Sequence, residues 1–317
     1  MSVAPIDRPC DVVAATVIIP SFNRAAQLAT ALRALSRQLP VPGGFEVIVV
    51  DDGGDPPLDE RSLTAASGLA CRVLRTCNGG PATARNLAAN HARGRILAFT
   101  DDDCEPDPDW LPGLVRRHHS ADSPRIVGGR TVNRLSSNPF SGTSQNLITI
   151  GYAHYNRDPE RALFFASNNL SVPRQEFAKV GGFDERFRTA EDRDLCDRWV
   201  HSGRTMTYAP ECVILHAHAM GLAGFWRQHV AYGRGAYQFH AEHRRRHPFH
   251  RIIQWPYYRT LSASMLPPQG AHATPTLAFA LCVSQVANLI GFLSERSTPR
   301  PEFRGVCLLQ GTEDGKT

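Results

Sequence analysis

Between Thr16 and Trp110, short runs of branched apolar residues alternate with longer segments of helical period. That alternation admits few folds, because a strand that is apolar on both faces must be covered on both faces. The strands are predicted at Thr16 to Ile19, Phe45 to Val50, Cys71 to Leu74 and Arg95 to Phe99. Between them, Ala25 to Arg37 repeats Leu28, Leu32 and Leu35 at helical spacing. The alanine-rich stretch Ala82 to Arg93 is opened by Pro81 and stopped by Gly94, and Pro56 to Gly68 forms a weaker crossover. The pattern is that of a Rossmann-like α/β domain, a mostly parallel sheet flanked by helices.

Every polar cluster in this half follows a strand: Pro20-Ser21-Phe22-Asn23-Arg24, Asp51-Asp52-Gly53-Gly54 and Asp101-Asp102-Asp103. In open parallel sheets ligands bind beyond the carboxyl ends of the strands, so the three clusters are expected to converge. Three adjacent carboxylates repel one another unless a cation screens them, and hard oxygen ligands suit Mg²⁺ or Mn²⁺. Asn78-Gly79-Gly80-Pro81 has the form of a glycine-rich loop that delivers an anion to a helix N-terminus. Arg85, one turn into that helix, is placed either to reach a phosphate or base or to serve an internal structural role.

After Trp110 the alternation fades. A helix is expected from Trp110 to His119, a strand at Arg125 to Gly128, a polar loop around Ser136 to Gln145, a turn at Gly181-Gly182-Phe183-Asp184, and a helix from about Ala190 to His201. On that last helix Asp192 shares a face with Leu195, Cys196 and Trp199, which points it toward the protein body, where a raised pKa suits a base. A strand is expected at Cys212 to Leu215 and a helix over Gly221 to Arg246; His240, His243 and His247, beside the arginines, have some metal-like spacing but read rather as a solvated basic face. Pro275 to Leu293 is nineteen residues without a charge, broken by Ser284, Gln285 and Asn288. That pattern favours an interfacial helix over a spanning one, with a buried packing helix as the alternative.

The chain has 317 residues, and its net charge of +5 is spread out except at Arg244 to Arg246, so a nucleic-acid partner is not expected. Eight cysteines, from Cys10 to Cys307, form no Cys-x-x-Cys pair and read as thiols in a reducing compartment. Met1 to Asp11 lacks the basic and apolar regions of a secretory signal, which favours a cytoplasmic location. The expected division is an N-terminal tail (1–14), a main α/β domain (15–220) whose first half ends near 110, and a helical C-terminal extension (221–317) that is a candidate for peripheral contact with the cytoplasmic face of a membrane.

Taken in order, Val17-Ile18-Ile19-Pro20-Ser21-Phe22-Asn23-Arg24, Val50-Asp51-Asp52-Gly53, Asn78 to Asn86 and Asp101-Asp102-Asp103 resemble glycosyltransferase family 2 with the GT-A fold. The resemblance continues through Asn168-Asn169-Leu170, Gly181 to Asp184 and Glu191-Asp192, covering roughly residues 14 to 240. It implies an inverting, metal-dependent enzyme with a DXD-type motif that moves a sugar from a nucleotide-sugar donor to a hydroxyl-bearing acceptor such as a cell-envelope glycan or lipid. The nucleotide-binding candidates are Pro20, Phe22, Arg24, Asp52, Arg85, Asp101 and Asp102. Among them Phe22 would lie on the base, Asp52 would meet the base edge, and either Asp101 or Asp102 would hold the ribose. The resemblance assigns Asp103 to the metal and Asp192 to the general base. His216, with His218 as its alternate, would complete the metal shell, and an imidazole there favours Mn²⁺. A nucleotidyltransferase is the rival enzyme, but Pro20 to Arg24 has no glycine-rich signature; a non-catalytic nucleotide-binding paralogue is the rival of another class.

Overall fold

The computed structural model describes residues 12–135, 137–249, 255–264 and 275–297. The tail before residue 12, with its leader reading, and Cys10 and Cys307 lie outside the described residues. In chain order the sheet is built from β1 (Ala15–Ser21), β2 (Phe45–Asp51), β3 (Arg72–Arg75), β4 (Ile96–Phe99), β5 (Cys104–Pro106), β6 (Arg125–Asn133), β7 (Leu170–Pro173) and β8 (Thr205–His216). The helices are α1 (Ala25–Leu35), α2 (Glu60–Ser67), α3 (Pro81–His91), α4 (Trp110–His119), α5 (Pro139–Tyr155), α6 (Arg174–Val180), α7 (Glu191–His201), α8 (Leu222–Arg246), α9 (Trp255–Ser264) and α10 (Pro275–Arg296).

One eight-stranded sheet runs β3-β2-β1-β4-β7-β6-β8-β5. The first four strands are parallel, and β7 enters antiparallel against β4. Because β1 lies between β2 and β4, the strand order reverses beside β1, and the crevice opens at that reversal. Period-two alternation divides the core. Val17, Ile19, Val47 and Val49 meet Leu28, Leu32 and Leu35 of α1 and Trp110 and Leu114 of α4 on one face. Ile18, Ile48, Val50 and Phe99 meet Ala84, Ala88, Leu195 and Trp199 on the other.

Two expectations are corrected in the second half. The stretch predicted as a polar loop is the start of α5, whose N-cap Asn138 accepts from the amides of Phe140 (3.0 Å) and Ser141 (2.9 Å), with Pro139 at the first turn. Three of its polar side chains are satisfied nearby: Ser141 donates to Asn133, Thr143 to the Pro139 carbonyl, and Gln145 to the Thr131 carbonyl. At the basic end of α8, Arg244 and Arg245 are exposed, but the side that carries His243 and His247 is not a solvated face. His243 and His247 meet Asp197 at 2.8 and 3.2 Å, and Arg246 reaches Asp197 and Asp194 at 2.6 and 2.8 Å, tying α8 to α7.

Strand β8 is much longer than the predicted Cys212 to Leu215. It pairs with β6 on both sides of a register shift at Gly129/Arg130, opposite which Pro210, Glu211 and Cys212 loop out of the ladder. Asn169 sits in that gap, fully buried, accepting from the Trp110 indole at 2.8 Å and donating to the carbonyls of Arg130 and Cys212, each at 3.1 Å. A Cβ on Gly129 would lie 2.1 Å from the Cys212 carbonyl oxygen and 2.6 Å from the Asn169 carboxamide. Gly129→Ala is therefore expected to destabilise the fold by about 3 kcal/mol, read as a lowered urea midpoint with unchanged slope.

The uncharged tail segment forms α10, which packs along α8. A Cβ on Gly233 would lie 2.0 Å from the Asn288 carbonyl oxygen, and one on Gly291 2.0 Å from that of Val230, so the two backbones are in contact. His229 meets Ser284 and Asn288 at 3.1 Å inside this contact, and burial holds its imidazole neutral, with its pKa lowered to about 4.

Candidate active site

The crevice is assembled from strand ends. Ser21, at the end of β1, donates to Asp102 beyond β4 at 2.8 Å and so bridges the reversal in strand order. Asn23 follows in the left-handed region (φ 56°), which asparagine tolerates better than most residues. Phe22 is 43% exposed at the mouth. Pro20 lies on β1, opposite Val50 in the ladder.

The Asp51-Asp52 pair divides its work. Asp51 is consumed by the scaffold, accepting from Gly54 N (2.7 Å), Leu58 N (3.1 Å) and Arg75 (2.7 Å). Asp52 accepts from the amides of Gly79 and Gly80 at 2.7 and 2.9 Å. The anion that the glycine loop receives here is thus the protein's own Asp52. Burial raises the Asp52 pKa against the pull of those two amides.

Arg85 is just as fully engaged. Buried at the start of α3, it binds Glu191 of α7 at 2.9 Å and Asp101 at 2.7 Å, while Asn86 beside it clamps the turn after α6 by bonding both the amide and the carbonyl of Phe183. The guanidinium therefore orders two acidic walls of the crevice. Glu191 is the deeper of the acidic pair, buried where Asp192 is half-buried. Burial and the neighbouring Asp192 charge push its pKa up despite Arg85. Asp192 is half-buried, accepts among the described residues from Arg193 N (2.7 Å) and Ser167 N (3.3 Å), and has its pKa raised by burial. Its neighbours Leu195, Cys196 and Trp199 are buried, as their shared helical face requires.

The triple aspartate splits three ways. Asp101 faces Arg85; Asp102 is buried on Ser21 and Arg24 (3.2 Å), and burial pushes its pKa up to about 6. Asp103 meets Arg24 at 3.1 Å, His216 Nε2 at 3.2 Å and His218 Nδ1 at 2.9 Å. Burial works to raise the Asp103 pKa, but the hydrogen bonds and charge of the two imidazoles overcome it and hold the carboxyl well below the usual range. The strand register explains the convergence: Cys104 of β5 lies opposite His216 of β8, and the Ala217 amide bonds the Asp103 carbonyl. Both histidines, two apart, therefore reach the same carboxylate. The Cys104 thiol is within the same cluster, but burial raises its pKa well above the ordinary value and keeps it protonated.

One carboxylate oxygen set beside imidazole nitrogens is a donor set that fits Mn²⁺. The surroundings fit a cation as well: among the described residues, Asp101, Asp102, Asp103 and Glu191, with Asp192 beside them, form ion pairs to guanidinium groups only through Arg24 and Arg85. Sequence reasoning missed Tyr232 of α8. Its ring is partly exposed, but its hydroxyl end is buried within Coulombic reach of Asp192, Glu191, Asp101 and Asp103, and burial together with those charges raises its pKa. The signal available was Gly233 and Gly235 within a helix, which mark close approach: Gly235 abuts Thr189, just ahead of α7.

The family model for glycosyl transferase family 2 matches residues 16–181, more than half of the chain. The chain belongs to glycosyl transferase family 2. Among curated relatives, this family 2 chain is 28% identical over 228 residues to the pre-mycofactocin glycosyltransferase of Mycobacterium tuberculosis, covering 70% of this chain and 46% of that protein. It is 28% identical over 225 residues to the validoxylamine A glucosyltransferase of Streptomyces hygroscopicus, covering 62% and 50%. The chain thus spans about half the length of the curated relatives it matches. Among solved structures, it superposes with a TM-score of 0.58 and 21% identity on the mannosyltransferase PcManGT from Pyrobaculum calidifontis in complex with GDP-Man and Mn²⁺, covering 88% of this chain and 77% of that one. The fold is the GT-A type that the motif order implied.

Proposed function

We propose that this chain transfers a sugar from a nucleoside diphosphate sugar to a hydroxyl acceptor, with inversion at the anomeric carbon. The observation that carries the reading is the pairing, across one crevice, of Asp103 under two imidazoles with a half-buried Asp192 that keeps lone pairs available. The relatives' names and the nucleotide sugar in the mannosyltransferase complex support a sugar-nucleotide donor. Pro20 and Phe22 line the base side, Asp52 is within the crevice to meet the base edge, and Asp101 or Asp102 takes the ribose. Arg24, 42% exposed at its side chain, is free enough to turn from Asp102 and Asp103 toward the diphosphate. Arg85 contributes by holding Asp101 and Glu191 in place.

Asp103 and His216, with His218 as alternate, would hold a divalent cation, Mn²⁺ in preference to Mg²⁺. Such an ion supplies Lewis-acid neutralisation of the charge on the diphosphate. Asp192 takes the proton from the acceptor hydroxyl. The acceptor oxygen then bonds the anomeric carbon from the face opposite the diphosphate, and the carbon–oxygen bond to the diphosphate breaks with its electron pair leaving on the nucleotide. A single displacement inverts the centre. Proton NMR of the first product formed from an α-linked donor is expected to give the β-anomeric coupling; an α-product at early times would overturn the single-displacement reading.

A further inference from the structure

Helix α10 buries Leu281 against Ile150 and Leu261 but turns most of its large apolar side chains outward. At 100° per residue, Phe279, Cys282, Val286, Leu289, Ile290 and Leu293 fall within an arc of about 100°, while Ala280, Ser284, Ala287, Asn288 and Gly291 fall on the opposite side. The small and polar side is the one turned to α8, where Ala280, Ser284 and Ala287 are fully buried. The apolar side faces out: Phe279, Val286, Leu289, Ile290 and Leu293 are each between 45% and 58% exposed. An ordinary surface helix of a water-soluble domain does the reverse, with its apolar stripe on the core. Helices that meet through small residues and show apolar side chains outward are those whose outer medium is lipid.

Charge selects the kind of surface. Between Leu222 and Arg296 the sequence has eight arginines and two glutamates, and no lysine or aspartate. Both glutamates are engaged, Glu295 with Gln238 at 2.6 Å and Glu242 with Arg245 at 3.1 Å. The arginines Arg227, Arg234 and Arg296 are exposed; Arg296 ends α10 and Arg234 reaches it at Ser294. Length and composition alone would let α10 cross a bilayer. Its neighbours argue for lying in the surface plane, because Arg234 reaches Ser294 (3.4 Å) and Gln238 reaches Glu295, keeping charged and polar groups of α8 beside the last turns of α10. We infer that the outward face of α10 docks flat onto a bilayer containing anionic lipid, with the α8 arginines at the headgroups.

The test is flotation of the full chain with vesicles of phosphatidylcholine alone and with a quarter phosphatidylglycerol. Binding is expected to the anionic vesicles, to weaken with salt, and to fall at least about tenfold in Leu289→Glu/Leu293→Glu. Should that double variant fold poorly, Ile290→Trp keeps the question open to measurement: its added indole emission is expected to shift blue and to be quenched by brominated acyl chains. Absence of vesicle binding in the parent, binding unaffected by the glutamates, or added emission in Ile290→Trp that brominated chains leave unquenched would each overturn the inference. So would a parent dimer that the glutamates dissolve without any vesicle binding, which would assign the face to a second copy of the chain.

Discussion

Asp192→Asn is expected to retain donor affinity and lose about 10²- to 10⁴-fold in turnover, the usual contribution of a general base. The amides of Ser167 and Arg193 bond different carboxylate oxygens, so the carboxamide keeps an acceptor for one of them while removing the proton acceptor. The pH profile provides a second readout. A carboxyl whose pKa is raised by burial is deprotonated only above its raised value, so transfer by the parent should fall as pH drops through a limb lying above the ordinary carboxylate pKa of about 3.8. That limb should vanish in Asp192→Asn. Glu191→Gln acts differently, because Glu191 is buried on Arg85. Its loss leaves the guanidinium with Asp101 alone and should cost about 3 kcal/mol of stability, seen as a lowered Tm. A stable, inactive Glu191→Gln beside an active Asp192→Asn would move the base by one residue.

Asp103→Asn should cost about 100-fold or more in affinity for a nucleoside diphosphate when Mn²⁺ is present, measured by calorimetry, since it removes the charge at the centre of the histidine pair while keeping shape. His216→Gln should be milder on the nucleotide and should shift the preferred ion toward Mg²⁺, because it removes the imidazole that favours a transition metal. An Asp103→Asn protein that binds as tightly as the parent, with and without chelator, would place the cation elsewhere.

The first half of the molecule was open to sequence reasoning because its strands are apolar on both faces and its helices carry regular leucine or alanine stripes, so period alone separates them. The clusters after β1, β2 and β4 could be located for the same reason. What escaped was set by tertiary partners. Helix α5 opens on Pro139-Phe140 and then Ser, Gly, Thr, Ser and Gln, and the Asn138 cap and the bonds of Ser141 and Gln145 to β6 are tertiary and capping contacts that support it as a helix. The polar first half of β8 is a strand because β6 pairs with it around Asn169. Within the site, the resemblance named residues but not their partners. That Asp52 is the anion of its own glycine loop, that Arg85 joins Asp101 to Glu191, and that His216 and His218 both reach Asp103 all depend on strand register and helix approach, which no local pattern encodes.

Thermal unfolding of the intact chain with a panel of nucleoside diphosphate sugars, each with Mn²⁺ and with chelator, bears most directly on the proposed donor site. A site that binds only the folded state stabilises it by about 2.7 kcal/mol at a hundredfold excess over Kd. At least one donor is expected to raise the Tm by several degrees with Mn²⁺, to lose that effect with chelator, and to have none on Asp103→Ala. Stabilisation that is equal with chelator, or that survives Asp103→Ala, would contradict a cation-bridged donor held by Asp103 and its two histidines.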